Sequence, residues 1–145
     1  MIGLLQRVNK ASVTVDGQVI GKIDCGLLVL IAVHRDDEER DIQRLAQRVL
    51  TYRVFPDAKG RMNRSVQDVS GGLLLVPQFT LTADTRKGTR ASFTKGADPD
   101  KASAYFDGLV ARCKEGLEIV ATGRFGADMQ VALVNDGPVT FWLES

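Results

Sequence analysis

Two stretches of this chain, Leu27 to Val33 and Leu73 to Val76, are continuously apolar, and each is led in by glycine, Gly26 in one case and Gly71-Gly72 in the other. The first, bounded by Gly26 and His34, suits a strand buried on both faces, and the second continues through Pro77 into Gln78-Phe79-Thr80-Leu81. A strand buried on both faces needs packed material above and below it, so the chain must supply at least one further layer. With 145 residues it sits near the usual size of one domain, 1–145, and can bury such a core without disulfides or structural metal. Cys25 and Cys113 lie far apart and outside any C-x-x-C pattern, which reads as two inert thiols in a reducing compartment.

The remaining segments fit around those strands. Ile2 to Val8 and Ser12 to Val15 alternate as strands do, and Asp16-Gly17 before Val19 is a two-residue hairpin signal. Asp36 followed by Glu39 resembles a capping box, after which Ile42, Leu45, Ala46, Val49 and Leu50 recur at helical spacing up to Tyr52. Asp98-Pro99 supplies a cap and a first-turn proline for a second helix, with Ala102, Tyr105, Phe106, Leu109, Val110 and Cys113 as its buried stripe, ending at Gly116. Met129 to Val134 and Val139 to Leu143 read as two last strands joined by the turn sequence Asn135-Asp136-Gly137-Pro138. Pro77 cannot donate to a ladder, so residues 77–80 are expected to leave regular pairing and free main-chain groups for a ligand. The fold class expected is α+β: a single domain with a largely antiparallel, barrel-like β-sheet and two main amphipathic helices, in preference to a doubly wound sheet.

Composition narrows the chemistry. His34 is the one histidine, and at the end of an apolar run it reads as a strand-end or loop residue. Without a second histidine or a Cys/His cluster, zinc hydrolysis and a Ser-His-Asp triad are hard to build, so neither metal nor cofactor is expected. The net charge of +1 exerts no global pull on nucleic acid, yet Arg86, Lys87, Arg90 and Lys95 crowd a segment in which Asp84 is the only acid. Two readings stand for that segment, a track for a phosphate backbone and a merely solvated basic loop. No run approaches the roughly 18 apolar residues of a membrane span, and Met1 leads straight into a strand with no basic leader, which favours the cytoplasm.

Gln78-Phe79-Thr80-Leu81 and Asn135-Asp136-Gly137-Pro138-Val139-Thr140 together resemble the two signature motifs of the D-aminoacyl-tRNA deacylases, in their bacterial form. Leu5-Gln6-Arg7-Val8 with Ala11-Ser12-Val13, Gly123-Arg124-Phe125, and Ala127 to Val131 extend the likeness over essentially the whole chain. The resemblance implies hydrolysis of the ester joining a D-amino acid to the terminal ribose of a tRNA, and of glycyl-tRNA mischarged on tRNA-Ala. It also implies a homodimer in which a cis Gly137-Pro138 pair completes the partner subunit's site. Main-chain carbonyls there would hold the substrate's α-ammonium group, leaving an L side chain no room.

The same resemblance distributes the other roles. Arg7 would brace the Gly137-Pro138 motif, an outward surface ion pair being the other reading. Gln78 would orient substrate, and the main-chain N–H near Phe79 would act as an oxyanion donor, a role worth about 3 to 4 kcal/mol in hydrolases. Thr80 is a nucleophile only if a base stands beside it, and the sequence places none; the alternative is a positioning residue, with water attacking under help from the ribose hydroxyl. Phe125 and Met129 match positions near the terminal adenosine, core packing being their other reading. Pro77 departs from the serine usual in the family, which argues against a side-chain role at that position. Two rival functions stand beside this one: a non-catalytic tRNA-binding module, and a related deacylase acting on misacylated L-alanyl-tRNA.

Overall fold

The computed structural model describes residues 1–145. In chain order the elements are β1 (Ile2–Val15), β2 (Gln18–Ile23), β3 (Gly26–Ala32), α1 (Glu39–Thr51), β4 (Phe55–Pro56), β5 (Met62–Arg64), β6 (Gly72–Pro77), a 3₁₀ turn (Phe79–Thr82), α2 (Pro99–Gly116), β7 (Val120–Thr122) and β8 (Gln130–Glu144). The two alternating segments expected near the N-terminus are one strand, β1, and that strand organises the sheet. Along one side, its first half pairs antiparallel with β3 and its second half with β2. Along the other side runs β8, also antiparallel. The Asp16-Gly17 turn has φ values of 49° and 76°, the paired positive angles of a type I′ hairpin.

Beyond β3 the pairing changes direction. β3 to β6 and β6 to β7 are parallel, and their crossovers carry α1 and α2 respectively. Parallel neighbours need long connections, so the two helices are a consequence of that topology. β2 curls round until Gly21 lies against the Thr122 carbonyl of β7, nearly closing a barrel. The expected architecture is thus observed, with a parallel wing that the two apolar runs supply.

Both runs are buried on both faces, as their composition demands. Leu27, Val29, Ile31, Leu73 and Leu75 face the helices, where they meet Leu45, Val49, Phe106 and Leu109. Leu28, Leu74 and Val76 point the other way, into the barrel with Val8, Val13 and Ile23. The expected helical stripes are buried too, apart from Tyr105 and Val110, which are half-buried.

Two local expectations need correction. The cap of α1 is Glu38, with Asp41 completing the box, rather than Asp36 with Glu39. Asp37 is drawn inward instead: it pairs with the Met1 ammonium at 2.6 Å and accepts the His34 N–H at 2.6 Å, so the helix starts after it. The two last strands are a single strand, β8, and Asn135 to Pro138 is a bulge within it rather than a turn between partners.

Candidate active site

β6 stops where proline requires it to, although Pro77 itself still lies opposite Ile31. The last rung is the Gln78 N–H donating to the Ile31 carbonyl at 2.6 Å, after which the chain winds into the 3₁₀ turn. Pairing therefore ends with the Gln78 N–H and departure begins at Phe79, later than the expected start at residue 77. Phe79 opens the turn, so its N–H has no acceptor from within it. The buried Thr82 hydroxyl donates to the Phe79 carbonyl at 2.8 Å and fixes the turn from beneath.

This turn forms one wall of a cavity of about 530 Å³ at the barrel mouth. Gln78 and Phe79 line it on one side, the start of α2 on another, and Phe125, Met129 and Val131 on a third. Four of the residues expected in a site, Gln78, Phe79, Phe125 and Met129, are thereby brought together. Met129 is held in place by the Arg124 N–H, 3.3 Å from its sulfur, and Gly123 makes the room: a Cβ there would stand 2.8 Å from the same sulfur. The cavity walls carry no titratable side chain, and Gln78 is their one polar side chain. Thr80 is exposed and does not line the cavity; its hydroxyl accepts a hydrogen bond from the Gln78 amide. No histidine or acid stands in that cavity, and His34 instead bridges to Gly96 outside it.

Gly137 and Pro138 do not line their own chain's cavity. They lie in the bulge of β8, where Gln6 faces Thr140 and Val8 faces Asn135, so four residues stand against Arg7 alone. The Gly137-Pro138 bond is cis and both residues are exposed. Side chains hold this backbone from two directions. Arg7, only 13% exposed, donates from Nε to the Asp136 carbonyl at 3.0 Å and from Nη1 to the Val54 carbonyl at 2.6 Å, and pairs with the Asp136 carboxylate at 3.3 Å. Asn135 closes the loop by accepting the Val139 N–H at 2.7 Å and donating to the Thr140 hydroxyl at 2.9 Å. Gly137 has φ +148°, and a Cβ on it would lie 2.6 Å from Val139 Cγ2. Arg7 thus holds the motif of its own chain.

Sequence reasoning missed Asn135, Thr82 and Val54. An asparagine opening a turn sequence commonly bonds the backbone beyond it, and that signal was available for Asn135. Nothing local marks the Val54 carbonyl as an acceptor for a residue far away in sequence.

The basic segment forms a separate loop. Its base is closed by the bridge between Asp84 and Ser92, and Asp84 grips Arg86, whose guanidinium holds the carboxyl well below the usual carboxylate range. Lys87, Arg90 and Lys95 are exposed and form no ion pair. Cys113 is buried, and desolvation pushes its thiol up to about 12, while Cys25 is exposed. A thiol so raised carries almost no thiolate near neutral pH and is inert as a nucleophile.

Comparison with known proteins places this geometry in context. The model of the D-Tyr-tRNA(Tyr) deacylase family matches residues 4–144. A D-aminoacyl-tRNA deacylase of Alkalilimnicola ehrlichii is 61% identical over 145 residues, spanning 100% of this chain and 97% of that protein. The D-aminoacyl-tRNA deacylase of Escherichia coli K12 is 58% identical over 144 residues, 99% of each. Among solved structures, one described as c-Myc DNA Unwinding Element Binding Protein superposes with a TM-score of 0.95 at 35% identity, covering 100% of this chain and 99% of that one. A probable eukaryotic D-amino acid tRNA deacylase shares the fold, with a TM-score of 0.84 at 16% identity and coverage of 99% and 98%.

Proposed function

The chain belongs to the D-Tyr-tRNA(Tyr) deacylase family and is an aminoacyl-tRNA deacylase, and on that basis we propose how its residues remove D-aminoacyl and glycyl groups from tRNA. The observation that carries the mechanism is the absence of any titratable side chain from the cavity walls. A hydrolase without a protein base must draw its proton transfer from the substrate, and the free hydroxyl of the terminal ribose is the group at hand. Water adds to the ester carbonyl with that hydroxyl positioning it. Negative charge on the former carbonyl oxygen is met by the Phe79 N–H, the ester C–O bond breaks, and the ribose oxygen takes up the proton.

Phe125 and Met129 pack the terminal adenine, an aromatic face beside an adaptable thioether. Gln78 orients the ester, with Thr80 holding the amide rather than attacking. The protein works as a homodimer in the cytoplasm, and Gly137-Pro138 of each subunit closes the partner's cavity. Support for this comes from the bulge, which is exposed and absent from its own cavity, and from β8, whose outer edge has no strand partner and carries exposed Val134 and Trp142. Carbonyls of the inserted pair grip the α-ammonium group, so chirality is read by backbone and glycine passes for lack of a side chain.

Membership of an enzyme family displaces the binding-only reading. The deciding experiment compares deacylation of D-tyrosyl-tRNA and L-tyrosyl-tRNA by purified protein, with and without a chelator. Rapid loss of the D ester alone, unaffected by chelator, is the expected result. Equal loss of both esters would end the backbone-exclusion account, and sensitivity to chelator would end the cofactor-free one.

A further inference from the structure

Phe79 and Phe93 are both exposed, at 60% and 44%, and they sit against each other with ring centroids 5.2 Å apart. Single exposed apolar side chains are ordinary, whereas two aromatic rings in contact on the surface form a patch that a ligand can use. Their surroundings point to a ligand. Phe79 is on the cavity wall, and Phe93 directly follows the clasp that closes the basic loop. Within that loop Asp84, Arg86, Lys87, Arg90 and Ser92 line a second hollow of about 530 Å³ with no apolar member. One ring of the pair thus lines the apolar cavity, and the other follows in sequence the clasp of the loop that holds the cationic hollow.

The base of the loop is held in place. Asp84 and Ser92 exchange two main-chain hydrogen bonds at 2.8 and 3.0 Å, the Gly96 N–H donates to the Phe93 carbonyl at 3.0 Å, and the Arg35 N–H reaches the Lys95 carbonyl at 3.0 Å. Asp84 occupies the Arg86 guanidinium, which leaves Lys87, Arg90 and Lys95 as the uncompensated cations. Stacking faces with exposed, unpaired cations nearby in the chain are the chemistry of single-stranded nucleic acid binding, in which bases lie on rings and phosphates on the charges.

We propose that Phe79 and Phe93 form a stacking step for the unpaired 3′ end of the tRNA, with Lys87, Arg90 and Lys95 taking its phosphates as it runs toward the cavity. This rests on the deacylase reading, which places the terminal nucleotide in that cavity. Bases just before the terminal adenosine stack on the pair, whose tilt of 51° offers two faces rather than one flat surface. Continuity of Phe79 with both features makes an RNA strand a better occupant than a folded protein, which would need a broader apolar patch.

The test is fluorescence anisotropy of uncharged tRNA, intact or trimmed of its unpaired 3′ end, against wild type, Phe93→Ala, and a Lys87→Gln/Arg90→Gln double variant. Wild type is expected to prefer the intact tRNA by about tenfold or more, on the scale of one or two stacked bases, and Phe93→Ala to lose most of that preference. The double variant should flatten the dependence of log affinity on log salt by roughly 0.7 per lost single-strand phosphate contact. Equal wild-type affinity for both tRNAs, or a preference untouched in Phe93→Ala, overturns the proposal. So does conversion of Phe93→Ala from dimer to monomer, which would assign the rings to a subunit contact. Turnover of D-tyrosyl-tRNA on the same wild-type protein separates the two ideas: a 3′-end preference that Phe93→Ala removes, without turnover, upholds the stacking step while removing the catalytic reading.

Discussion

The 3₁₀ turn after β6 and the bulge in β8 both free main-chain groups from a strand, yet they do so by different means. At the turn, the strand simply ends: Pro77 has no N–H, pairing stops after Gln78, and the backbone is released at a terminus. In the bulge, the strand continues on either side, and four residues are forced out opposite Arg7. A released terminus needs little holding, so one buried hydroxyl, that of Thr82, suffices. A mid-strand bulge must be held against collapse into the ladder, so Arg7 and Asn135 supply four contacts to or across it, and a further bond ties Arg7 itself to the Val54 carbonyl. At the turn, Gln78 and Phe79 are therefore left to line the cavity, whereas the side chains around the bulge are committed to holding the backbone.

The sharpest way to break this contrast is Gly137→Ala. A Cβ at φ +148° and 2.6 Å from Val139 Cγ2 cannot be accommodated without moving the bulge. Deacylation should fall by about 10³-fold or more, while circular dichroism stays that of the wild type because the core is remote. Full activity in this variant would remove the bulge from the site. Next comes Arg7→Leu, which strips two carbonyls of their donor. Its kcat/KM is expected to drop about 10²-fold and its stability in urea by about 1 kcal/mol, on the scale of losing hydrogen bonds to partly buried acceptors. A loss of activity with no loss of stability would mean that Arg7 touches substrate instead.

At the turn the effects should be smaller. Thr80→Ala is expected to keep activity within about tenfold, because its hydroxyl only receives the Gln78 amide. A fall of about 10³-fold would restore it as a nucleophile. The smallest effect concerns pH. With no titratable group on the cavity walls, His34→Gln should leave the pH profile of kcat/KM unmoved across roughly pH 5 to 8, where an imidazole base would show itself. A shifted limb in that variant would bring His34 into the chemistry after all.

Much of this was legible in advance, for identifiable reasons. The two helical stripes, the Asp98-Pro99 start of α2 and the Asp16-Gly17 hairpin are local patterns, and each is where its residues put it. The misplaced start of α1 shows the limit of local reading. Asp36 with Glu39 satisfies the capping pattern better than Glu38 with Asp41 does, yet Asp37 is claimed from across the chain by the Met1 ammonium and the helix starts after it. The bulge was misread for a related reason: Asn-Asp-Gly-Pro has the composition of a turn, and only pairing of both flanks to the same strand, β1, makes it a bulge. Phe93 attracted no notice in the sequence, since a single phenylalanine in a polar loop has no periodicity to mark it.

The sequence alone determined the two helices, the N-terminal hairpin turn, the double-sided burial of β3, and the likeness to a deacylase family, because each depends on residues close together or on motifs intact in the chain. Tertiary structure alone decided which of those elements meet. It gathered Gln78 and Phe79 with Phe125 and Met129 into a cavity without titratable walls, turned Gly137 and Pro138 away from it, and set Phe79 against Phe93. The physical reason is that strand register, parallel crossovers and side-chain anchors such as Arg7 are long-range terms, fixed only when the whole sheet closes.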